Sequence, residues 1–148
     1  MTARRDRQRC SSDCGSAAIE AAMLAPVLLA LVGVAIAGGR IQVAGGAIEG
    51  AAHDAARAAS IARTEGQARA DAYSAASAAL DQQGLHCSQL TVVVDTSGFA
   101  VPVGQPATVA ASITCVVDLS DIVVDGLPGS RTLNATFVSV LDTFRTRT

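Results

Sequence analysis

From Ala21 to Gly39 the chain runs nineteen residues without a charge, bounded by Glu20 on one side and Arg40 on the other. As a helix this stretch rises roughly 28 Å, close to the ~30 Å hydrocarbon thickness of a bilayer. Pro26 falls early in it, where a missing N–H is tolerated. Beyond Arg40 the pattern stays helical but becomes two-sided. Ile41, Ala44, Ile48, Ala52, Ala55, Ala59 and Ala62 recur at steps of three and four, while Gln42, Glu49, His53, Arg57 and Ser60 recur on another face. This predicts one Ala-rich amphipathic helix from Arg40 to Leu85, ended by Gly84. Gly45-Gly46, Gly50 and Gly66 weaken it and predict a bend near the membrane surface.

After Gly84 the period shortens to two. Thr91–Asp95 is a strand candidate, and Phe99, Val101 and Val103 alternate before a turn at Gly104–Pro106. The cleanest alternation sets Val109, Ala111, Ile113, Cys115, Val117 and Leu119 against Ala110, Ser112, Thr114, Val116, Asp118 and Ser120. Gly126–Ser130 reads as a turn and Thr132–Val140 as a last strand. A long helix followed by three or four antiparallel strands is an α+β arrangement with the sheet laid on the helix. The expected organisation is a basic leader over residues 1–15, a membrane span over 16–39, an Ala-rich extracytoplasmic helix over 40–85 and a small β-rich domain over 86–148.

Composition sharpens this in two ways. Tyr73, Phe99, Phe137 and Phe144 are the only aromatics in 148 residues, so Ala and Val must fill the core. The formal net charge of −2 argues against a nucleic-acid partner, which would need concentrated positive charge. That net value hides a split. Arg4, Arg5, Arg7 and Arg9 outweigh Asp6 and Asp13 in the head, whereas acids outnumber arginines in the remainder. A basic head before an apolar run places the N-terminus in the cytoplasm and the C-terminal part outside. The span is either retained as an anchor or removed as a signal peptide at Ala35-Ile36-Ala37, an A-x-A sequence. Retention is favoured because the uncharged run is long, because Glu20 stands where a signal peptide passes from basic to apolar, and because the helical pattern continues past Ala37.

The expected topology puts Cys87 and Cys115 in an oxidising compartment, where they either form a disulfide or stand as two buried thiols. A bond would close the loop between them, for which the chain-entropy model gives about 3–4 kcal/mol. Cys10 and Cys14 lack a second pair or a nearby His, so no metal site is expected. His53 and His86 have no nucleophile or carboxylate at a telling spacing, and no catalytic residues, cofactor or small-molecule substrate are expected. Asn134-Ala-Thr136 matches a glycosylation acceptor, a triplet common by chance.

The junction Asp13-Cys-Gly15-Ser16-Ala-Ala-Ile-Glu20-Ala-Ala-Met-Leu-Ala-Pro26 resembles the start of TadE-like proteins, pilin-like components of the tight-adherence (Flp-type) pilus assembly system. Gly39-Arg40 and Ala51-Ala-His-Asp-Ala-Ala-Arg57-Ala-Ala-Ser60 are also similar to that family. The resemblance implies a single-pass minor pilin or pseudopilin whose partners are the membrane, other pilin-like subunits and the pilus or secretion machinery. It further implies that a prepilin peptidase cuts after Gly15. Ser16 would then become the new N-terminus, and Glu20, the fifth residue, would contact the freed ammonium of a neighbouring subunit. Ala21 departs from the pattern, since pilin-type sequences often carry an aromatic there. The rival functions are a secreted domain released after Ala37 and a membrane-anchored binding module unrelated to pili.

Overall fold

The computed structural model describes residues 13–122, 128–144 and 146. The basic head through residue 12, Cys10 included, and Gly126-Leu127 of the expected turn lie outside the described residues. The chain divides into two units, Met1–Ile36 and Ala37–Thr148.

Helix α1, Asp13–Ile61, contributes to both. In the first unit its large apolar side chains are bare: Met23, Leu24, Val27, Leu28, Leu29, Leu31, Val32 and Val34 are each more than half exposed. In water every such side chain forgoes roughly 1.5–3 kcal/mol of burial, whereas a bilayer would cover them all. This is the one helix among the described residues long and apolar enough to cross a membrane.

In the second unit α1 changes character. Ala44, Ile48, Ala51, Ala52, Ala55, Ala56 and Ala59 are buried at 4% exposure or less and form a broad stripe. Helix α2, Glu65–Gln82, adds a matching stripe of Ala68, Ala72, Ala76 and Leu80. The expected single helix from Arg40 to Leu85 is therefore two helices. The interruption is local and chemical. The Thr64 side chain accepts a hydrogen bond from the Gln67 backbone N–H at 3.2 Å, and Glu65 in the first turn complements the helix dipole. Gly45, Gly46 and Gly50 produce no break, because α1 is unbroken there and its neighbouring alanines are held in the core. The weakness of glycine in a helix is about 1 kcal/mol per residue, which packing overrides. At the far end of α2, Gly84 takes φ +66°. Its N–H bonds to the Asp81 carbonyl at 3.0 Å and that of Leu85 to the Leu80 carbonyl at 3.0 Å, so two terminal carbonyls are satisfied at a residue that pays no Cβ penalty.

Three strands follow: β1, Gln89–Asp95; β2, Thr108–Asp118; and β3, Ser130–Val140. They form an antiparallel sheet in the order β1-β2-β3. On β2, Val109, Ala111, Ile113, Cys115 and Val117 are each 1% exposed or less, facing the helices, while Ala110, Ser112, Thr114 and Val116 are half-buried on the other face. One buried cluster joins the stripes of α1 and α2 to this sheet face. The alternation of Phe99, Val101 and Val103 does not make a strand. Ser97–Ala100 is a turn of 3-10 helix that buries Phe99 under the sheet's end. Asp95 starts that turn by accepting the Ser97 N–H at 2.9 Å. A period of two over so few residues does not distinguish a strand from a chain crossing the end of the core.

Candidate membrane-anchoring and assembly segment

Gly15 and Ser16 lie in the first turn of α1, and only their backbone is described. Glu20 follows one turn later and is exposed, at the point where the uncharged run begins. Its carboxylate and the apolar face beside it are thus presented together on a helix surface that the first unit leaves uncovered. A carboxylate inside hydrocarbon costs a few kcal/mol at the bilayer centre and less near the surface, so a position at the edge of the run is the affordable one. Ala35-Ile36-Ala37 is helical, with no interruption of α1 on either side.

In the second unit, Cys87 and Cys115 are joined as a disulfide, with 5.4 Å between their Cα atoms. Cys115 is fully buried in the middle of the β2 core face and Cys87 is half-buried in the connection from α2 to β1. The bond ties that connection to the central strand, beside Ser88, whose N–H donates to the Val116 carbonyl at 2.8 Å.

The two histidines are not brought together. His53 on α1 lies beside Asp54, Nδ1 to Oδ1 3.4 Å, and meets the Phe137 ring edge-on with centroids 4.6 Å apart. A shallow groove between α1 and β3 is lined by Glu49, His53, Asn134, Ala135, Thr136 and Phe137. His86 is exposed in the loop before β1. Among the described residues no group of three or more His, Cys, Asp or Glu side chains is arranged to hold a metal ion.

One polar cluster was not anticipated. The buried Thr96 hydroxyl donates to Glu65 Oε2 at 3.1 Å and accepts from the Arg69 guanidinium at 3.0 Å, while Arg69 and Glu65 pair at 3.4 Å. It fastens the first turn of α2 to the end of β1. Its sequence signal is local only in part: Thr64-x-x-Gln67 marks a helix start, and Glu65 and Arg69 stand at i, i+4, but nothing nearby points to Thr96.

The class defined by these features is a small disulfide-linked α+β domain joined to one candidate membrane helix. Residues 15–57 match the TadE family model, described as TadE-like protein, and over that segment the chain is TadE-like. The match takes in the uncharged run of the one candidate membrane helix among the described residues, Ile19–Ile61, and the two together support a membrane protein related to the Tad pilus. No curated protein and no solved structure matches the chain.

Proposed function

We propose that this chain is a minor pilin or pseudopilin of a Flp-type (tight-adherence) pilus or a related secretion apparatus, held by one span with its N-terminus in the cytoplasm. The observation that carries the reading is the family match over residues 15–57, which takes in Gly15, Glu20 and the whole uncharged run. In this reading a prepilin peptidase cuts after Gly15. The Ser16 ammonium then pairs with Glu20 of a neighbouring pilin-like subunit, a contact that removes the cost of a lone carboxylate at the edge of hydrocarbon. The disulfide supports an extracytoplasmic domain, since such bonds persist where the compartment is oxidising. The helical backbone at Ala35–Ala37 supports retention of the span, because signal peptidase acts on an extended site. The role is assembly, with no catalysis, no cofactor and no nucleic-acid or small-molecule ligand.

Mass spectrometry of the mature chain tests the processing. An N-terminus at Ser16 is the expected result, one at Gly38 overturns the pilin reading in favour of secretion, and an intact Met1 removes the peptidase step. Deleting the chain's gene and counting surface pili tests the role. Loss of pili, restored by the wild-type chain and not by Glu20→Gln, is expected.

A further inference from the structure

The two ends of the disulfide stand in unlike surroundings. Cys115 is fully buried in the middle of the central strand, where its Cα partners are Leu90 on β1 and Leu133 on β3. Ile113 and Val117, its neighbours on the same face, are fully buried as well, within the cluster that joins the helices to the sheet. Cys87 is half-buried in the connection from α2 to β1, next to the exposed His86. It lines an open groove of about 200 Å³, together with Tyr73 and Asp81 of α2 and with Leu85 and Leu90. Cys115 does not line that groove.

This difference bears on chemistry, because thiol–disulfide exchange is a substitution at sulfur. The incoming nucleophile must reach one of the two sulfurs, and access decides which. We propose that Cys87 is the exchange site of this chain: an external thiol or disulfide reacts at Cys87 Sγ, and Cys115 acts only from inside. Attack at Cys115 would first require the core around Ile113 and Val117 to open, whereas the groove already leads to Cys87. This chemistry is independent of the pilus role proposed above.

The forming direction runs in two substitutions. In the reduced chain the Cys87 thiolate attacks an external disulfide and expels one external thiolate, which leaves Cys87 in a mixed disulfide. Cys115 then gives its proton to water. Its thiolate attacks Cys87 Sγ, forms the Cys87–Cys115 bond and expels the second external thiolate. The two protein thiols have lost two electrons, and the external disulfide has gained them as two thiols. Breaking is the reverse. An external thiolate bonds to Cys87 Sγ, the bond to Cys115 breaks, and Cys115 leaves as a thiolate that takes a proton from water. That charge arises among apolar side chains, where an ion is poorly solvated. Opening is therefore slow although Cys87 can be reached.

Sulfite reads the attacked sulfur directly, since it bonds to one cysteine as an S-sulfonate and releases the other as a free thiol. The full oxidised chain in detergent is treated with sulfite, quenched in acid and digested with chymotrypsin, and cleavage after Phe99 separates the two cysteines for mass spectrometry. In native buffer the S-sulfonate at Cys87 should outnumber that at Cys115 by roughly tenfold or more, because Cys115 is reached only through opening of the core. In urea the two should become about equal. An even split in a native, protease-resistant chain overturns the proposal, as does a preference for Cys115. So does cleavage in urea alone, which would show that the groove does not admit a nucleophile to Cys87. Oxidised glutathione checks the forming direction on single-cysteine variants. Cys115→Ala should take up glutathione at Cys87 in native buffer, and Cys87→Ala should take it up at Cys115 only when denatured. Equal native uptake by both, with protease resistance kept, also overturns the proposal. Should either variant fail to fold, the sulfite result on the unmutated chain decides.

Discussion

A Cβ on Gly98 would overlap the backbone carbonyl oxygen of Thr108. It would also press on the Leu141 side chain at 3.0 Å. Gly98 is buried in the 3-10 turn that follows β1, and the obstructing atom belongs to the first residue of β2. Neither side can give way without shifting a strand. Gly98→Ala should therefore cost about 3 kcal/mol, the upper end for overpacking, because backbone rather than a flexible side chain is met. Thermal unfolding followed by circular dichroism reads the loss, and Gly66→Ala, with nothing within 4 Å of the added methyl, is the control that should be neutral or slightly stabilising.

The alanine seam makes a second prediction. Ala55 and Ala72 are fully buried, one on each helix, and a larger side chain at either has no room. Ala55→Leu or Ala72→Leu should destabilise by roughly 1–3 kcal/mol. Ala78→Leu, on the exposed side of α2, should change stability by less than about 0.5 kcal/mol. Equal losses at all three positions would show that the helices do not pack through this stripe. Denaturant midpoints measure the difference.

Removing the disulfide with Cys87→Ala and Cys115→Ala together should cost about 2–4 kcal/mol through the freed loop. The double replacement is preferable to reduction, which leaves a polarisable thiol in the fully buried Cys115 position. Thiol labelling of the native chain under denaturing conditions, without reductant, should leave both residues unmodified.

Asp95 supplies a pH dependence. The Ser97 backbone N–H, followed by the Ser97 side chain, holds its carboxyl below the ordinary value of 3.8. A carboxylate with a lowered folded-state pKa binds its proton more readily when the chain is unfolded, so its contribution is complete above that ordinary value and fades as pH falls through the folded one. Carboxyl NMR titration should place the Asp95 midpoint below 3.8, and Asp95→Asn should flatten the corresponding acid limb of the stability curve.

Much of this architecture is written in local pattern. The bare apolar run, the alternation of Val109 through Val117 and the stop at Gly84 are each consequences of periods or backbone freedom that neighbours in sequence determine. The junction from Asp13 to Pro26 is equally local, and the family match falls on it. Thr64-x-x-Gln67 was also legible, as a cap that divides the Ala-rich stretch, but the stripe of alanines continues through Ala62 and Ala68 and hides the break. What only the folded chain decided are the relations between distant residues. Cys87 meets Cys115, Thr96 reaches Glu65, and Phe99 tucks under the sheet in place of extending it. The two edges of the sheet also become unlike, one bearing Arg131 and the other Asp95. Periodicity reports which face of an element is apolar. Which surface that face meets depends on how two helices and three strands share one small core, and no local pattern carries that.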